Sequence, residues 1–175
     1  MKIYMDTYEK FPLGKIFICS NINGLCRIGI NTNFEKEVRW LTNSFHKYDI
    51  VFNTDKNYPY INQLDEYFRG YRMKFDVPVI PIGTDFQKSV WNVLKDIPYG
   101  ETISYKEMAI KLGNPRASRA VGQANNRNPI PIIIPCHRVI GSDGSLMGYG
   151  GGINIKKYLI EFESNNLLKR SNISN

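Results

Sequence analysis

The spacing of apolar residues differs between the two halves of the chain, which predicts two parts of different architecture. In the first half, "KIFICSNINGLCRIGI" holds two apolar runs rich in β-formers, joined by Asn23-Gly24, a dipeptide typical of tight hairpin turns. Two later stretches, "FEKEVRWLTNSF" and "YINQLDEYFRGY", have apolar residues at helical spacing. We therefore predict an α/β scaffold domain over residues 1–77, and find no catalytic cluster within it.

Proline and glycine mark the passage to the second half. "MKFDVPVI" is typical of extended chain, and the overlapping "DVPVIPIG" is interpreted as the linker. Helical patterns then dominate residues 82–175. Two of these helices open with capping boxes, the first formed by Thr84 with Gln87 and the second by Ser104 with Glu107. The fold class predicted for the whole chain is therefore α+β, with a mainly helical second domain.

A third helix, over about residues 117–126, follows a turn at Gly113 and has two contrasting faces. At 100° per residue, its inner face is predicted to hold Ala117, Ala120, Val121 and Ala124, and its outer face Arg116, Arg119, Gln123, Asn126 and Arg127. Two short helices with such a turn between them are typical of a helix-turn-helix. An ordinary amphipathic helix pair explains the same pattern equally well.

The net charge of +7 is unevenly distributed, with most of the excess in the second half. Between Thr102 and Arg138, six cations face the single anion Glu107; they are Lys106, Lys111, Arg116, Arg119, Arg127 and Arg138. Such a basic stripe is ordinarily only a solvated surface. Its coincidence with a helix-turn-helix pattern is what favours a polyanionic partner such as DNA.

Composition excludes several classes of protein. A hydrophobic content of 42% with 13% aromatic residues is typical of a globular chain. No apolar run is long enough to span a membrane and no signal-peptide core opens the chain, so we expect a cytoplasmic protein without a membrane partner. Cys19, Cys26 and Cys136 match no metal-ligand spacing, so no metal site is predicted. For Cys19 and Cys26 we expect burial as small apolar residues.

The stretch "NPIPIIIPCHRVIG" places Cys136 after an apolar run in which Pro131 and Pro135 forbid a helix. We predict an extended, buried segment ending at the thiol. Two interpretations compete: a buried structural cysteine, or a nucleophile with His137 as its base. In the second, the cationic neighbours His137 and Arg138 are expected to lower the thiol pKa. Adjacent residues of a strand point to opposite sides, so His137 would need a water or a turn to reach the sulfur.

The last predicted helix, which begins near Asn154, contains a carboxylate that could orient the histidine. Glu163 lies at the edge of its apolar stripe, whereas Glu161 points away, and a carboxylate at such an edge requires a partner. The stripe consists of Ile155, Tyr158, Leu159 and Phe162. Before this helix, "GSDGSLMGYGGG" holds six glycines in twelve residues, which allows close backbone approach or a loop that closes over a ligand.

Together, "TDFQKSVWNVLKDIPYGETISYKEMA", "RAVGQANNRNPIPIII", "PCHRVIG" and "GYGGGINIKKYLIEFE" resemble the methylated-DNA–protein-cysteine methyltransferases, the O6-alkylguanine-DNA alkyltransferase family. The resemblance covers residues 82–163. It implies a ribonuclease-H-like α/β domain in the first half and a helix-turn-helix alkyltransferase domain over residues 82–175.

The resemblance also implies roles in catalysis. Cys136 would be the alkyl acceptor in an in-line displacement at the carbon on the guanine exocyclic oxygen. His137 would draw the thiol proton through a water, with Glu163 behind it. Tyr105 would hydrogen-bond the guanine and help protonate it as the leaving group.

Roles in DNA binding follow from the same resemblance. Arg119 would be the finger that fills the gap left by the flipped nucleotide, and Asn128 would fasten the recognition helix to the active-site segment. Tyr149 and the glycines after it would cover the base. Further DNA contacts are expected from the outer helix face, at Arg116, Gln123 and Arg127.

The function implied is DNA repair: the protein would flip O6-alkylguanine out of duplex DNA and transfer the alkyl group irreversibly to Cys136. Because a thioether is not readily hydrolysed, one molecule would repair one lesion as a single-turnover, suicide methyltransferase. No cofactor is expected, since the substrate is itself the alkyl donor. The expected partner is duplex DNA containing alkylated guanine, bound by a monomer. Activity on O4-alkylthymine is left open by the residues.

Three alternatives were weighed against this function. A non-enzymatic alkylated-DNA-binding protein would carry tryptophan in place of Cys136. A cysteine hydrolase with a Cys-His-Glu set would have no use for the arginine-bearing helix, and a helix-turn-helix regulator would leave the Cys-His pair unexplained. The chain also departs from the family at two positions: Gly150 stands where many relatives carry serine or alanine, and Tyr158 where tryptophan is frequent.

Overall fold

The computed structural model describes residues 1–173. The chain forms two compact units, the first over Met1–Ile82 and the second from Gly83 onward. In the described range, no helix combines the length and the apolar character that crossing a bilayer requires. Sheet and helices are both present, which confirms the predicted α+β class.

The first unit is built on a four-stranded sheet whose strands are β1 (Lys2–Tyr8), β2 (Ile16–Asn21), β3 (Gly24–Ile30) and β4 (Asp49–Phe52). Their order is β3-β2-β1-β4, with β1 antiparallel to β2 and parallel to β4. The antiparallel pairing of β2 with β3 confirms the predicted hairpin. Strands β1 and β4 had not been predicted, because neither is bounded by a strong turn dipeptide.

Two helices accompany this sheet, α1 (Phe34–Ser44) and α2 (Thr54–Phe68). Both were predicted, but α2 begins six residues before the predicted stretch and ends three residues before the end of that stretch. The amide side chains of Asn33 and Asn53 cap them by accepting backbone N–H bonds. The stretch "MKFDVPVI" forms no strand and makes only a single bridge, from Val79 to Leu25. Proline cannot donate to a ladder, which explains why this segment stays irregular.

Cys19 and Cys26 lie in the hydrophobic core of the first unit, together with Ile3, Met5 and Leu41. Both thiols are fully buried, as predicted for small apolar residues. Burial raises the pKa of Cys26 to about 12 and that of Cys19 well above its ordinary value. These cysteines are therefore held as neutral thiols.

The described residues of the second unit form four α-helices: α3 (Asp85–Leu94), α4 (Tyr105–Lys111), α5 (Ser118–Asn126) and α6 (Ile153–Ile173). Two short parallel strands, β5 (Ile103–Ser104) and β6 (Val139–Ile140), complete it. Both predicted capping boxes are present, at the starts of α3 and α4.

Helices α4 and α5 pack against each other across the predicted turn, where Gly113 has a φ of +74°. Val121 and Ala124 are buried as predicted, and the indole of Trp91 donates to the Ala124 carbonyl at 2.9 Å. Ala120, placed on the inner face by the pattern, is exposed instead, and Asn125 is buried. The helix is therefore rotated from the predicted orientation, because Asn125 satisfies a buried backbone carbonyl of the active-site segment.

The apolar segment after α5 is buried, but the prediction that it is extended is wrong. The Ile134 N–H donates to the Ile130 carbonyl at 2.9 Å, and Ile132 has a φ of +76°, which is rare for a β-branched residue. The Asn128 side chain accepts from the Ile130 N–H at 3.0 Å and donates to the Ile134 carbonyl at 2.8 Å. This side chain stabilises a tight turn in place of a strand.

Candidate active site

Cys136 begins a one-turn 3-10 helix, Cys136–Arg138, that directly follows the buried turn. Its N–H donates to the Ile134 carbonyl at 2.8 Å, and its own carbonyl accepts from Asn125 Nδ2 at 3.0 Å. The side chain is almost completely buried, with 2% of the residue exposed. Two buried amides, on Asn125 and Asn128, thus hold the segment on which the thiol stands.

The next residue, His137, is completely buried and faces a carboxylate from α6. Its Nε2 lies 2.8 Å from Glu163 Oε1. The other ring nitrogen, Nδ1, is buried and has no hydrogen-bond partner among the described residues. With Nε2–H donating to the carboxylate, Nδ1 presents a lone pair that can accept a proton.

Glu163 is fixed by several donors at once. Arg138 donates to it in a bidentate manner, from Nε to Oε2 and from Nη2 to Oε1, both at 2.9 Å. The Gly100 N–H donates to Oε2 at 2.9 Å. Burial alone would raise the pKa of Glu163, but the hydrogen bonds from His137 and Arg138, with the positive charge of Arg138, hold it well below its ordinary value. The carboxylate is therefore ionised and able to stabilise a protonated His137.

The pKa of His137 is lowered, chiefly because burial disfavours the imidazolium, although Glu163 opposes this effect. At neutral pH the imidazole is consequently uncharged. A neutral ring beside an ionised carboxylate is the resting form that a general base requires.

Arg138 was predicted to belong to the basic stripe on the surface, but it is buried. Only 6% of the residue is exposed, its Nη1 donates to the Ile97 carbonyl at 2.6 Å, and its guanidinium lies 5.6 Å from the ring centre of Tyr99. It therefore belongs to the buried polar network and is not a surface cation.

The expectation that His137 and Arg138 lower the Cys136 pKa is also wrong. Burial raises the pKa of the thiol to about 11, although Asn128 and Lys156 both act to lower it. Arg138 is neutralised by Glu163 and His137 is uncharged, so the adjacent residues do not supply the expected positive field. The resting nucleophile is a protonated thiol that requires a base.

Tyr105 opens α4 and donates its hydroxyl proton to the Met147 carbonyl at 2.8 Å. Both residues line an open pocket of about 460 Å³ in the second unit, together with Arg119. Cys136 is not part of this lining. The other lining residues are Ser118, Gly122, Gly141, Ser142, Asp143 and Gly148.

Tyr149 is buried in the glycine-rich loop, and its hydroxyl has no hydrogen-bond partner in the described part of the chain. Burial raises the pKa of Tyr149 well above its ordinary value, and the negative charge of Glu163 acts in the same direction. At Gly150 an added Cβ would lie 2.9 Å from the Asn126 carbonyl oxygen. A serine or alanine here would require this loop to move away from α5.

The remaining predicted DNA contacts lie on or beside α5: Gln123 is within the helix, Arg116 is two residues before its start and Arg127 is its C-cap. Arg116, Gln123 and Arg127 are all exposed, as is Arg119 at the pocket. None of these arginines makes a salt bridge within residues 1–173, so their charges are available to a ligand.

Lys156 is a further polar residue of this region, and the sequence analysis missed it. It is completely buried, and its Nζ donates to the Val139 carbonyl at 2.6 Å, the Met147 carbonyl at 2.7 Å and the Tyr105 hydroxyl at 3.3 Å. Its position on α6, three residues before Leu159 and seven before Glu163, places it on the buried stripe. A lysine on an apolar stripe was the signal that could have identified it.

Comparison with protein families gives two matches that together span most of the chain. The profile described as "6-O-methylguanine DNA methyltransferase, DNA binding domain" matches residues 85–165. The profile described as "6-O-methylguanine DNA methyltransferase, ribonuclease-like domain" matches residues 3–81.

Individual proteins are similar over nearly the whole length. A methylated-DNA–protein-cysteine methyltransferase of Methanosarcina barkeri is 47% identical over 168 residues, covering 94% of this chain and 99% of the relative. The crystal structure of the O6-methylguanine methyltransferase of Mycobacterium tuberculosis matches with a TM-score of 0.78 and 40% identity, over 94% of each chain. A structure of Mycobacterium tuberculosis OGT in complex with DNA matches with a TM-score of 0.79 and 39% identity, over 95% of this chain and 94% of that one.

Proposed function

This chain belongs to the methylated-DNA–protein-cysteine methyltransferase family, and we propose that it repairs O6-alkylguanine in duplex DNA by transferring the alkyl group to Cys136. The observation that carries the proposal is the buried pair of His137 and Glu163 directly after the cysteine, with Nδ1 of the imidazole lacking a partner among the described residues. Such a pair supplies a base to a thiol that does not ionise by itself.

Binding to DNA is the first step. The exposed arginines of α5 would contact phosphates without reading sequence, which suits a lesion that occurs in any context. An alkyl group on a stacked guanine leaves no room for in-line attack, so the nucleotide must leave the duplex. Arg119, exposed and at the pocket wall, would occupy the vacated position, and the pocket beside Tyr105 would receive the base. The DNA complex of the Mycobacterium tuberculosis relative supports this partner.

Activation of the thiol is the second step. With a pKa of about 11, Cys136 is protonated near neutrality. His137 Nδ1 would accept the proton through a bridging water, and the ionised Glu163 would stabilise the resulting imidazolium. The bidentate bond from Arg138 would keep that carboxylate aimed at the ring.

Alkyl transfer is the third step. The Cys136 sulfur forms a bond to the alkyl carbon while the bond from that carbon to the guanine oxygen breaks, and the electron pair passes to the base. A proton delivered through the Tyr105 hydroxyl would leave a neutral guanine. The product is a stable thioether on Cys136, so each molecule would act once. No cofactor is needed because the substrate supplies the alkyl group, and the protein would act as a monomer.

Intact-protein mass spectrometry tests the proposal. The protein is incubated with a duplex carrying one O6-methylguanine, beside the unmodified duplex and a Cys136→Ala variant. We expect a gain of one methyl group on the peptide containing Cys136, stopping at one equivalent and absent from both controls. DNA binding without a mass gain would overturn the transfer and favour a non-enzymatic binding protein, whereas neither binding nor transfer would overturn both functions.

A further inference from the structure

Asp143 is an exposed carboxylate of the glycine-rich loop, and the transfer reaction as described so far gives it no role. It is the only charged residue of the chain between Arg138 and Lys156. It lines the pocket of about 460 Å³ beside Tyr105, together with Arg119. The described lining of this pocket therefore combines one cation with one anion.

A tight turn of the loop fixes the position of this carboxylate. Asp143 Oδ1 accepts from the Ser145 N–H at 3.0 Å and from the Ser145 hydroxyl at 2.6 Å. The Gly141 N–H donates to the Ser145 carbonyl at 2.8 Å, which closes the turn. An added Cβ at Gly141 would lie 2.5 Å from Asp143 Oδ1, so a larger residue there would displace the carboxylate.

The turn requires a hydrogen-bond acceptor at position 143, but it does not require a charge. The amide oxygen of an asparagine could accept the same two bonds from Ser145. The bonds from the Ser145 hydroxyl and N–H hold the pKa of Asp143 below its ordinary value, so the carboxylate is ionised at neutral pH. No salt bridge within residues 1–173 neutralises it, and its charge can therefore act on a ligand that enters the pocket.

Arg119 gives the same pocket an affinity for phosphate. Its guanidinium makes no salt bridge with any residue that the structure describes, and an arginine without a partner is a strong phosphate ligand. Duplex DNA presents one negative charge per about 1.7 Å of helix axis, so phosphate is far more abundant than any damaged base. A phosphate held in the pocket would occupy the space that a base requires.

A carboxylate on the same pocket acts against phosphate and not against a base. Like charges brought together in a binding site disfavour the wrong ligand, and specificity depends on what a site excludes as well as on what it binds. A guanine base carries no net charge, and its amino group can donate to a carboxylate.

From this arrangement we propose that Asp143 is a specificity-determining residue, whose charge keeps backbone phosphate out of the pocket that Arg119 lines and so reserves the pocket for an extruded base. The inference rests on the proposed function, because it requires that this pocket receives the base. It predicts that Asp143 weakens binding to undamaged DNA more than binding to a duplex with the lesion.

The test compares Asp143→Asn, which keeps the acceptor and removes the charge, with the matched control Asp96→Asn. Asp96 is also exposed in the second unit and forms no salt bridge among the described residues. All proteins carry Cys136→Ala, so that binding is measured without transfer. Fluorescence anisotropy at one low salt concentration gives the Kd for an unmodified duplex and for the same duplex with one O6-methylguanine.

We expect D143N to tighten binding to the unmodified duplex about fivefold and binding to the methylated duplex by less than about twofold. The ratio of the two Kd values therefore falls, and D96N should leave it unchanged. A ratio that stays the same or rises in D143N would overturn the inference, and so would an equal fall in D96N.

The dependence on Arg119 is tested in a double-mutant cycle with Arg119→Ala. If Arg119 is the group that binds phosphate in the pocket, D143N should no longer tighten binding to the unmodified duplex in the R119A background. Equal tightening in both backgrounds would overturn the inference, because the charge of Asp143 would then act on the surface as a whole.

Thermal unfolding of each variant accompanies the binding measurements. D143N should unfold at the same temperature as its parent, since the bonds from Ser145 remain; if it does not fold, Asp143→Ser keeps an acceptor and takes its place. Equal Kd values for the two duplexes in the parent would overturn the inference. Failure of the unchanged protein to transfer methyl to Cys136 would refute the proposed function, a distinct result because the Kd ratio is measured without transfer.

Discussion

Each of the two units buries a glutamate that is held by a bidentate arginine stacked on an aromatic ring. In the first unit, Arg27 donates to Glu37 from Nε at 2.8 Å and from Nη2 at 3.1 Å, and its guanidinium lies 5.0 Å from the ring centre of Trp40. In the second, Arg138 holds Glu163 and stacks on Tyr99. The second pair differs because its carboxylate also contacts a histidine.

The buried thiols repeat this contrast. Burial raises the pKa of Cys26 to about 12 and that of Cys136 to about 11, so burial does not distinguish them. Cys26 donates to the Cys19 carbonyl within an apolar core. Cys136 is followed in sequence by a buried imidazole whose Nδ1 has no described partner. What separates a candidate nucleophile from a structural cysteine here is a neighbouring group able to take the proton.

The largest effect on this contrast is expected when the His137 imidazole is removed. In His137→Gln, we expect the methyl-transfer rate to fall about 10²–10⁴-fold, because the thiol loses its base. The exposed His46 of the first unit provides the matched control, and His46→Gln should leave the rate unchanged. Single-turnover kinetics measures both. Equal rates in the two variants would refute the role of His137.

The two glutamates should separate activity from stability. Glu163→Gln is expected to slow transfer about a hundredfold, because the amide stabilises an imidazolium poorly. Glu37→Gln should leave the rate unaffected. Both substitutions remove the anion from an arginine, which is partly exposed in the first unit and buried in the second. Urea denaturation should therefore show a loss of about 3–5 kcal/mol in the free energy of unfolding for Glu163→Gln, and a smaller loss for Glu37→Gln. A similar loss of rate in both variants would indicate that the effect of Glu163 is only on folding.

The pH dependence offers a smaller effect. The pKa of His137 lies below its ordinary 6.5, so between pH 6.5 and 7.5 the base is already neutral and the unchanged protein should show a nearly flat transfer rate. In His137→Gln, only thiol already ionised can react. Because the Cys136 pKa is about 11, that fraction, and with it the rate, should rise about tenfold per pH unit over the same range. A flat profile in both proteins would contradict base catalysis by His137.

Signals local in sequence predicted much of this molecule. The hairpin, the capping boxes and the glycine turn each depend on a few adjacent residues, and all were found. Glu163 could also be predicted from the sequence, because a carboxylate at the edge of an apolar stripe is recognisable in the helical pattern. The family resemblance joined these pieces into one site.

What the sequence could not provide depends on long-range contacts. The turn around Ile132 requires the Asn128 side chain to form hydrogen bonds at both ends of the turn, with Ile130 and Ile134. No residue pattern in the sequence predicts these bonds. Arg138 looked like a surface cation because its partners lie at positions 97 and 163. Lys156 was missed for the same reason, since its acceptors come from three separate segments.

The smallest predicted effect concerns the cations that remained on the surface. Arg127 is exposed at the C-terminal end of α5, whereas Arg39 is exposed in the first unit. If α5 contacts phosphate, Arg127→Ala should weaken binding to modified and unmodified duplex alike. It should also reduce the slope of log K against log salt concentration by about 0.9, the release of roughly one counterion. Arg39→Ala should leave the slope unchanged. Fluorescence anisotropy at several salt concentrations measures both slopes. Equal slopes in the two variants would show that Arg127 does not contact DNA phosphate.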